Sequence, residues 1–148
     1  RFVNNVLGVN AFVSILVGAI VTIMVQSSSI TTSLLVPLGG AGLLKLERAF
    51  PVAIGANIGT TVTGFLAALA VSGPNASAGL SIAIVHLLFN SSATLLIYPI
   101  AAIRQVPLRL SRGLTHLALR SRKLTVVWIA FLFYGLPALC VAISQALQ

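Results

Sequence analysis

Residues 6–25 form an apolar run of about twenty residues, and a helix of that length rises ~30 Å, the thickness of a bilayer's hydrocarbon core. Comparable apolar stretches cover 49–71, 80–103 and 124–147. Little charge interrupts them: 7% of the 148 residues are charged, against about 25% in a water-soluble domain. Glu47 is the one acidic residue, and mean hydropathy is +1.09. A chain of this kind is predicted to be an all-α integral membrane protein, because backbone in lipid must satisfy its own hydrogen bonds. The formal net charge of +8 does not indicate nucleic acid, since six of the nine Lys and Arg fall within 104–123, between two apolar stretches. A basic excess so placed reports topology and predicts a cytoplasmic loop at 104–123. The polar turn 72–79 is then external if 80–103 crosses once. Cys140 has no second cysteine to pair with and says nothing of redox compartment.

Two of the four stretches are interrupted at mid-length. In the first, seven of the eight residues from Gln26 to Ser33 are polar ("QSSSITTS"), and apolar residues resume over 30–38. In the second, "GANIGTTVTG" runs from Gly55 to Gly64 inside 49–71. Discontinuous membrane helices expose free N–H groups at one broken end and free carbonyls at the other. Paired interruptions are therefore a pointer to a transporter's binding site. Gln26, Ser27, Ser28 and Ser29 precede a short helix expected from about Ile30. Its serines can cap it and leave amides facing an oxyanion. Asn57, Thr60, Thr61 and Thr63 offer neutral oxygens suited to Na+, with Gly55, Gly59 and Gly64 permitting unwound backbone. A site of neutral groups binds a charged solute without the cost of buried fixed charge.

A simpler role stands beside each of these. Ser and Thr in membrane helices bond to their own i−4 carbonyls or to a neighbouring helix. Gly18 and Thr22 have small-xxx-small spacing and read as helix packing. His86 and Asn90, one turn apart, read as an interhelical hydrogen bond, with a proton-relay or solute-path role as the alternative. Glu47, between Lys45 and Arg48, reads as a solvated surface charge.

The ordered motifs resemble the type II sodium-dependent phosphate cotransporters and their bacterial relatives. The resemblance runs from Ile15 through "QSSS" and "ERAFP" (Glu47 to Pro51) to "GANIGTTVT", "HLLFN" (His86 to Asn90), "YPI" (Tyr98 to Ile100) and "VPLRL" (Val106 to Leu110). It is strongest with the second of the family's two inverted QSSS repeats, and a bacterial member is the expected source. It implies a re-entrant helical hairpin over 6–38, a broken helix over 49–71 and membrane spans at 80–103 and 124–147, together one half of an inverted-repeat transporter. Gln26, Ser27, Ser28 and Ser29 would be this repeat's share of the phosphate site. Gln26, Ser27, Asn57, Thr60 and Thr63 would serve Na+, the coupling ion, with no organic cofactor. Ala56 stands where animal members usually carry Ser, which removes one oxygen ligand.

On this resemblance the function is sodium-coupled phosphate symport across the plasma membrane (the inner membrane of a bacterium) by alternating access. The expected partners are phosphate, Na+, the lipid bilayer and the missing first repeat. A homodimer is left open, as is assembly of two short chains into a dual-repeat unit. A chain beginning at Arg1 and holding one QSSS is expected to belong to a longer protein. The alternatives are a sodium-coupled carrier of a dicarboxylate or amino acid, a passive anion channel, and a structural subunit. With no nucleophile–base pair, metal-ligand cluster or P-loop, an enzyme is not expected.

Overall fold

A computed structural model describes residues 10–146, all of whose regular structure is helical. In chain order the elements are α1 (Ala11–Val25), α2 (Ser28–Gly40), α3 (Leu46–Leu69), α4 (Ala76–Ile97), α5 (Ala101–Arg120), α6 (Arg122–Ala130), a π-helical turn (Phe131–Gly135) and α7 (Leu136–Ala146). Residues 6–9 of the first expected stretch and 147 of the last lie outside the described residues. The chain divides after Arg104 into two compact units.

In the first unit, local chemistry sets the helix ends. The Asn10 side chain accepts a hydrogen bond from the Phe12 amide at 3.1 Å and opens α1. Gln26 closes α1 in the left-handed conformation, at φ 56° and ψ 25°. Ser27 follows in extended backbone and caps α2, its hydroxyl accepting from the Ile30 amide at 3.3 Å. The expected serine cap is therefore present. α1 and α2 form a helix–turn–helix reversing at Gln26–Ser27. α2 ends where the Leu38 carbonyl accepts from the Leu43 and Leu44 amides, at 2.9 and 3.1 Å. Gly42 permits that reversal at φ +69°, and buried Leu44 closes it.

α3 differs from the sequence expectation. Residues 55–64 are not unwound; they lie inside one continuous helix of 24 residues. The glycines serve a close approach of backbones instead. A Cβ on Gly55 would overlap the Ile15 carbonyl, and one on Gly59 would sit 2.6 Å from the Ala19 carbonyl oxygen. A Cβ on Gly18 of α1 would overlap the Val52 carbonyl. Ser14, Gly18, Ala19 and Thr22 of α1 thus meet Val52, Gly55, Ala56 and Gly59 of α3 along one seam, all of them buried. Small residues suit a membrane, where lipid is as apolar as leucine and association rests on packing and hydrogen bonds. The packing role read for Gly18 and Thr22 is what the structure shows.

α4 packs against α3 and ends at Ile97, short of the expected 103. Tyr98 still has helical backbone, at φ −73° and ψ −46°, and the helix stops at Pro99, which has no N–H to continue the i−4 bonding. Arg104 then donates to the Tyr98 carbonyl at 3.3 Å and stacks 5.2 Å from the Tyr98 ring centroid. Nor is 104–123 an irregular loop, since α5 covers most of it. In the second unit, α6, the π turn and α7 form an unbroken run, Arg122–Ala146. Trp128 and Phe131 meet edge-to-face there, at 6.0 Å and 84°. Leu46–Leu69, Ala76–Ile97 and Arg122–Ala146 are long and apolar enough to cross a membrane. α1 has 15 described residues, about 22 Å at ~1.5 Å per residue.

The seam makes a specific demand on side-chain size. Gly55→Ala should destabilise the full-length protein in detergent by about 1–3 kcal/mol, the usual cost of overpacking. Gly64 has open space around its would-be Cβ, so Gly64→Ala should be neutral or stabilising by up to ~1 kcal/mol. Thermal unfolding midpoints of the two variants, compared with the parent, measure the contrast.

Candidate functional site

The reversal between α1 and α2 carries the polar run. Gln26 is the one non-glycine residue at positive φ among the described residues. Glycine would adopt this conformation without strain, whereas an L-residue gives up about 1–2 kcal/mol. A glutamine there is a local cost that a purely structural turn does not require, and such outliers cluster at ligand-binding positions.

A hydrogen-bond chain holds the turn. Thr22 of α1 donates from Oγ1 to Thr31 Oγ1 of α2 at 2.9 Å. Thr31 donates in turn to the Ser27 carbonyl at 3.1 Å. Both threonines are buried. In a dry interior such a chain fixes the reversal, because either hydroxyl without its partner would be an unsatisfied polar group. Sequence reading assigned Thr22 to packing and did not single out Thr31. Their placement was nonetheless a readable signal: they are equidistant from the Gln26–Ser27 junction, where two antiparallel helices bring side chains together.

On the α2 side the tip offers donors. The first amides of a helix have no intrahelical partner. Ser27 takes up one of them, its hydroxyl accepting from the Ile30 amide, while its carbonyl accepts the first intrahelical bond, from the Thr31 amide at 3.2 Å. The Ser28 and Ser29 amides remain, at the positive end of the helix dipole and beside their own hydroxyls. No described residue hydrogen-bonds the Ser28 or Ser29 hydroxyl or the Gln26 carboxamide. Gln26 and Ser29 are exposed, and Ser27 and Ser28 are half-buried.

On the α3 side the tip offers acceptors. Thr60 donates its hydroxyl proton to the Ala56 carbonyl at 3.1 Å, and Thr63 donates to the Thr60 carbonyl at 2.9 Å. This is the back-bonding expected of threonine in a membrane helix. It also fixes what the hydroxyls can still do. With the proton committed to the backbone, each oxygen keeps its lone pairs for a cation.

Gln26, Thr60 and Thr63 line one open pocket of about 510 Å³, together with Ile23, Gly64 and Leu66. Three of the candidate site residues, from two helices far apart in sequence, are thereby brought together. Ser27, Ser28 and Ser29 lie next to Gln26 along the turn and do not line that pocket. Asn57 is exposed on α3, one turn before Thr60. Thr61 is buried and donates to the Ile58 carbonyl at 2.7 Å, away from the site. Ala56 is fully buried in the α1–α3 seam, so its side chain does not face the pocket. His86 and Asn90 are linked within α4, the Asn90 amide donating to the His86 carbonyl at 3.3 Å. Among the described residues no group of three or more His, Cys, Asp or Glu could hold a metal ion. The oxygens present are hard and uncharged, a set suited to an alkali cation rather than a transition metal.

The family model described as Na+/Pi-cotransporter matches residues 1–141. The chain belongs to the Na+/Pi-cotransporter family. Similar proteins include sodium-dependent phosphate transport protein 2B of Mus musculus, 44% identical over 135 residues, which are 91% of this chain and 19% of the relative. The protein of the same name from Homo sapiens is 43% identical over 135 residues, again 91% of this chain and 19% of the relative. Sodium-dependent phosphate transport protein 2A of Oryctolagus cuniculus is 41% identical over 138 residues, 93% of this chain and 21% of the relative. The chain thus spans about a fifth of the length of these relatives. No solved structure matches it. Membership agrees with the fold at the level both describe: a helical chain of a cotransporter family, with helices able to cross a membrane.

The threonine link and the strained glutamine are separately testable. Thr22→Val and Thr31→Val should each destabilise the protein, with a coupling of about 0.6 kcal/mol between them, the typical value for interhelical hydrogen bonds in membranes. A double-mutant cycle on unfolding free energies measures it. Gln26→Gly should leave stability unchanged or raised by up to ~1–2 kcal/mol, read from thermal unfolding midpoints.

Proposed function

We propose that this chain is the second of two inverted repeats of a sodium-coupled phosphate symporter in the plasma membrane. The observation that carries the reading is the shared pocket of Gln26, Thr60 and Thr63, beside the free amides and hydroxyls of Ser28 and Ser29. Donors for an oxyanion and acceptors for a cation adjoin at one turn, with Gln26 able to serve both. Family membership and the names of the similar proteins, which specify sodium-dependent phosphate transport, support the same cargo. The matched length supports a protein in which this chain is one part, with the other repeat elsewhere.

In this reading α1 and α2 form a re-entrant hairpin. It enters the bilayer and turns back at its polar tip, near the tip of the counterpart repeat. The Ser28 and Ser29 amides and hydroxyls and the Gln26 carboxamide hold phosphate. The Thr60 and Thr63 hydroxyl oxygens, the Gln26 carbonyl oxygen and the Ser27 hydroxyl oxygen hold Na+, with Asn57 one turn away as a further ligand. Sodium coupling then follows from electrostatics. A phosphate dianion loses its hydration on entry, and neutral donors recover part of that loss. A sodium ion about 4 Å away adds an attraction of about 4 kcal/mol per charge pair at an effective dielectric constant of ~20. Loading is favoured when both are present, and the loaded repeats move against each other to open the other side. The chemistry is binding and movement, with no covalent step and no organic cofactor. The basic segment 104–123 faces the cytoplasm under the positive-inside rule.

The full-length protein in sealed vesicles should accumulate labelled phosphate above its external concentration only under an inward sodium gradient. Accumulation unchanged by replacing sodium with choline would exclude sodium coupling, and simple equilibration would indicate a channel. Ser28→Ala and Thr60→Val should each reduce uptake roughly tenfold, the effect of losing about 1.4 kcal/mol of binding. Ser28→Ala should act on the phosphate dependence and Thr60→Val on the sodium dependence. Insertion should be unaffected in both.

A further inference from the structure

α5 takes no part in the site above, yet its two faces are sharply different. Ile103, Val106, Leu110, Leu114 and Leu117 recur at steps of three and four residues, which aligns them along one side of a helix. Gln105, Arg109, Arg112, His116 and Arg120 recur the same way on a second side, about 120° around the helix at ~100° per residue. Most of the apolar side is exposed, Val106 to 53% and Leu110 to 69%, with Leu117 half-buried. Arg109, Arg112 and Arg120 are exposed on the other side. The sequence of α5 holds no acidic residue, and Arg109 donates to the Gln105 side-chain oxygen at 2.8 Å.

The connections at its ends restrict how this helix can lie. Residues 98–100 separate it from α4, and Ser121 alone separates it from Arg122–Ala146. Both neighbours are long and apolar enough to cross a membrane. Each end of α5 is therefore within a few residues of a bilayer surface. Its 20 residues extend about 30 Å at ~1.5 Å per residue. A helix projecting into water would carry its far end about that distance from the surface. A single linking residue reaches only ~3.6 Å. α5 must run along the surface, where its apolar side enters the acyl boundary and its arginines lie at headgroup level.

We propose that α5 is an interfacial helix whose arginine face, Arg109, Arg112 and Arg120, binds the phosphates of anionic phospholipid headgroups. The inference rests on the chain being membrane-embedded and is independent of which solute it carries. Several features favour lipid over a soluble anion. Arg109 and Arg120 are eleven residues apart, about 16 Å along the helix, a separation matching several headgroups in a row rather than one small ion. Guanidinium pairs with phosphate in a planar, two-pronged geometry. The apolar stripe beside the arginine side also needs a non-aqueous neighbour, which a soluble anion does not supply.

The test uses the full-length protein with Cys140→Ser and any other accessible cysteines replaced. A fluorophore is attached at Leu110→Cys in one sample and at Arg109→Cys in another, both reconstituted into phosphatidylcholine vesicles containing phosphatidylglycerol. The label at 110 should be shielded from an aqueous quencher, and the label at 109 should be accessible. Brominated phosphatidylglycerol should quench the label at 110 more strongly than brominated phosphatidylcholine. That preference should fall by roughly fivefold for each arginine removed in Arg109→Gln/Arg120→Gln, and it should weaken in high salt. Shielding at 110 should persist in the double variant, since it reflects burial rather than charge. A water-accessible label at 110 would overturn the interfacial placement. So would a label at 110 that is shielded from the aqueous quencher but quenched by neither brominated lipid, which would assign the apolar side to a protein partner or a second copy. Equal quenching by the two lipids, or a preference unchanged in the double variant, would overturn headgroup recognition. Loss of the preference on adding inorganic phosphate at constant ionic strength would assign the arginines to a soluble anion. None of these readouts involves solute uptake, so their failure is distinguishable from failure of the transport reading.

Discussion

Backbone meets backbone where α1 crosses α3, and the position of the polar tip follows from that contact. Gly18, Gly55 and Gly59 have no Cβ because the opposing carbonyls occupy that space. Without an aqueous hydrophobic effect, this proximity brings dispersion contacts and weak Cα–H···O bonds into play. The seam then carries Thr22, at its end, into reach of Thr31. The threonine pair and the Ser27 cap hold the reversal between α1 and α2. Through that sequence of contacts the glycines, buried in the seam, determine where Gln26 stands relative to Thr60 and Thr63.

The tip separates two kinds of hydrogen-bonding capacity without using a charge. On α2, serine amides and hydroxyls remain to donate. On α3, threonine protons are already committed to the helix's own carbonyls, which leaves oxygen lone pairs. A fixed arginine would bind phosphate more tightly, but burying it would cost several kcal/mol and would slow release. Neutral donors with a mobile cation beside them make affinity conditional on the ion. That is the property the proposed coupled carrier requires. Gln26 lies at the boundary of the two sets because its amide both donates and accepts.

Much of this was readable from the chain. The apolar runs and scarce charges indicated membrane helices, and the three described spans are where apolar length is sufficient. The serine run indicated a capped helix start, and Ser27 is that cap. The periodic leucines of 103–117 were equally legible, although the density of arginines around them suggested a loop. Gly55–Gly64 was misread, because Gly, Asn and Thr favour both unwound backbone and close helix packing. Local propensity is nearly silent between those outcomes. Ala56 shows the same limit: its type suggested a lost ligand, but its burial places it in the seam.

Sequence alone thus determined the solvent this protein occupies, its helical class, the chemistry of its polar run and the cap that starts α2. These are consequences of composition and of contacts within a few residues. Tertiary structure alone decided that α3 stays continuous, that its glycines face α1, and that Gln26, Thr60 and Thr63 share a pocket while Thr61 does not. The reason is physical. A glycine in a helix leaves a gap that either bent backbone or a neighbouring helix can fill, and which one does so depends on what the fold brings beside it.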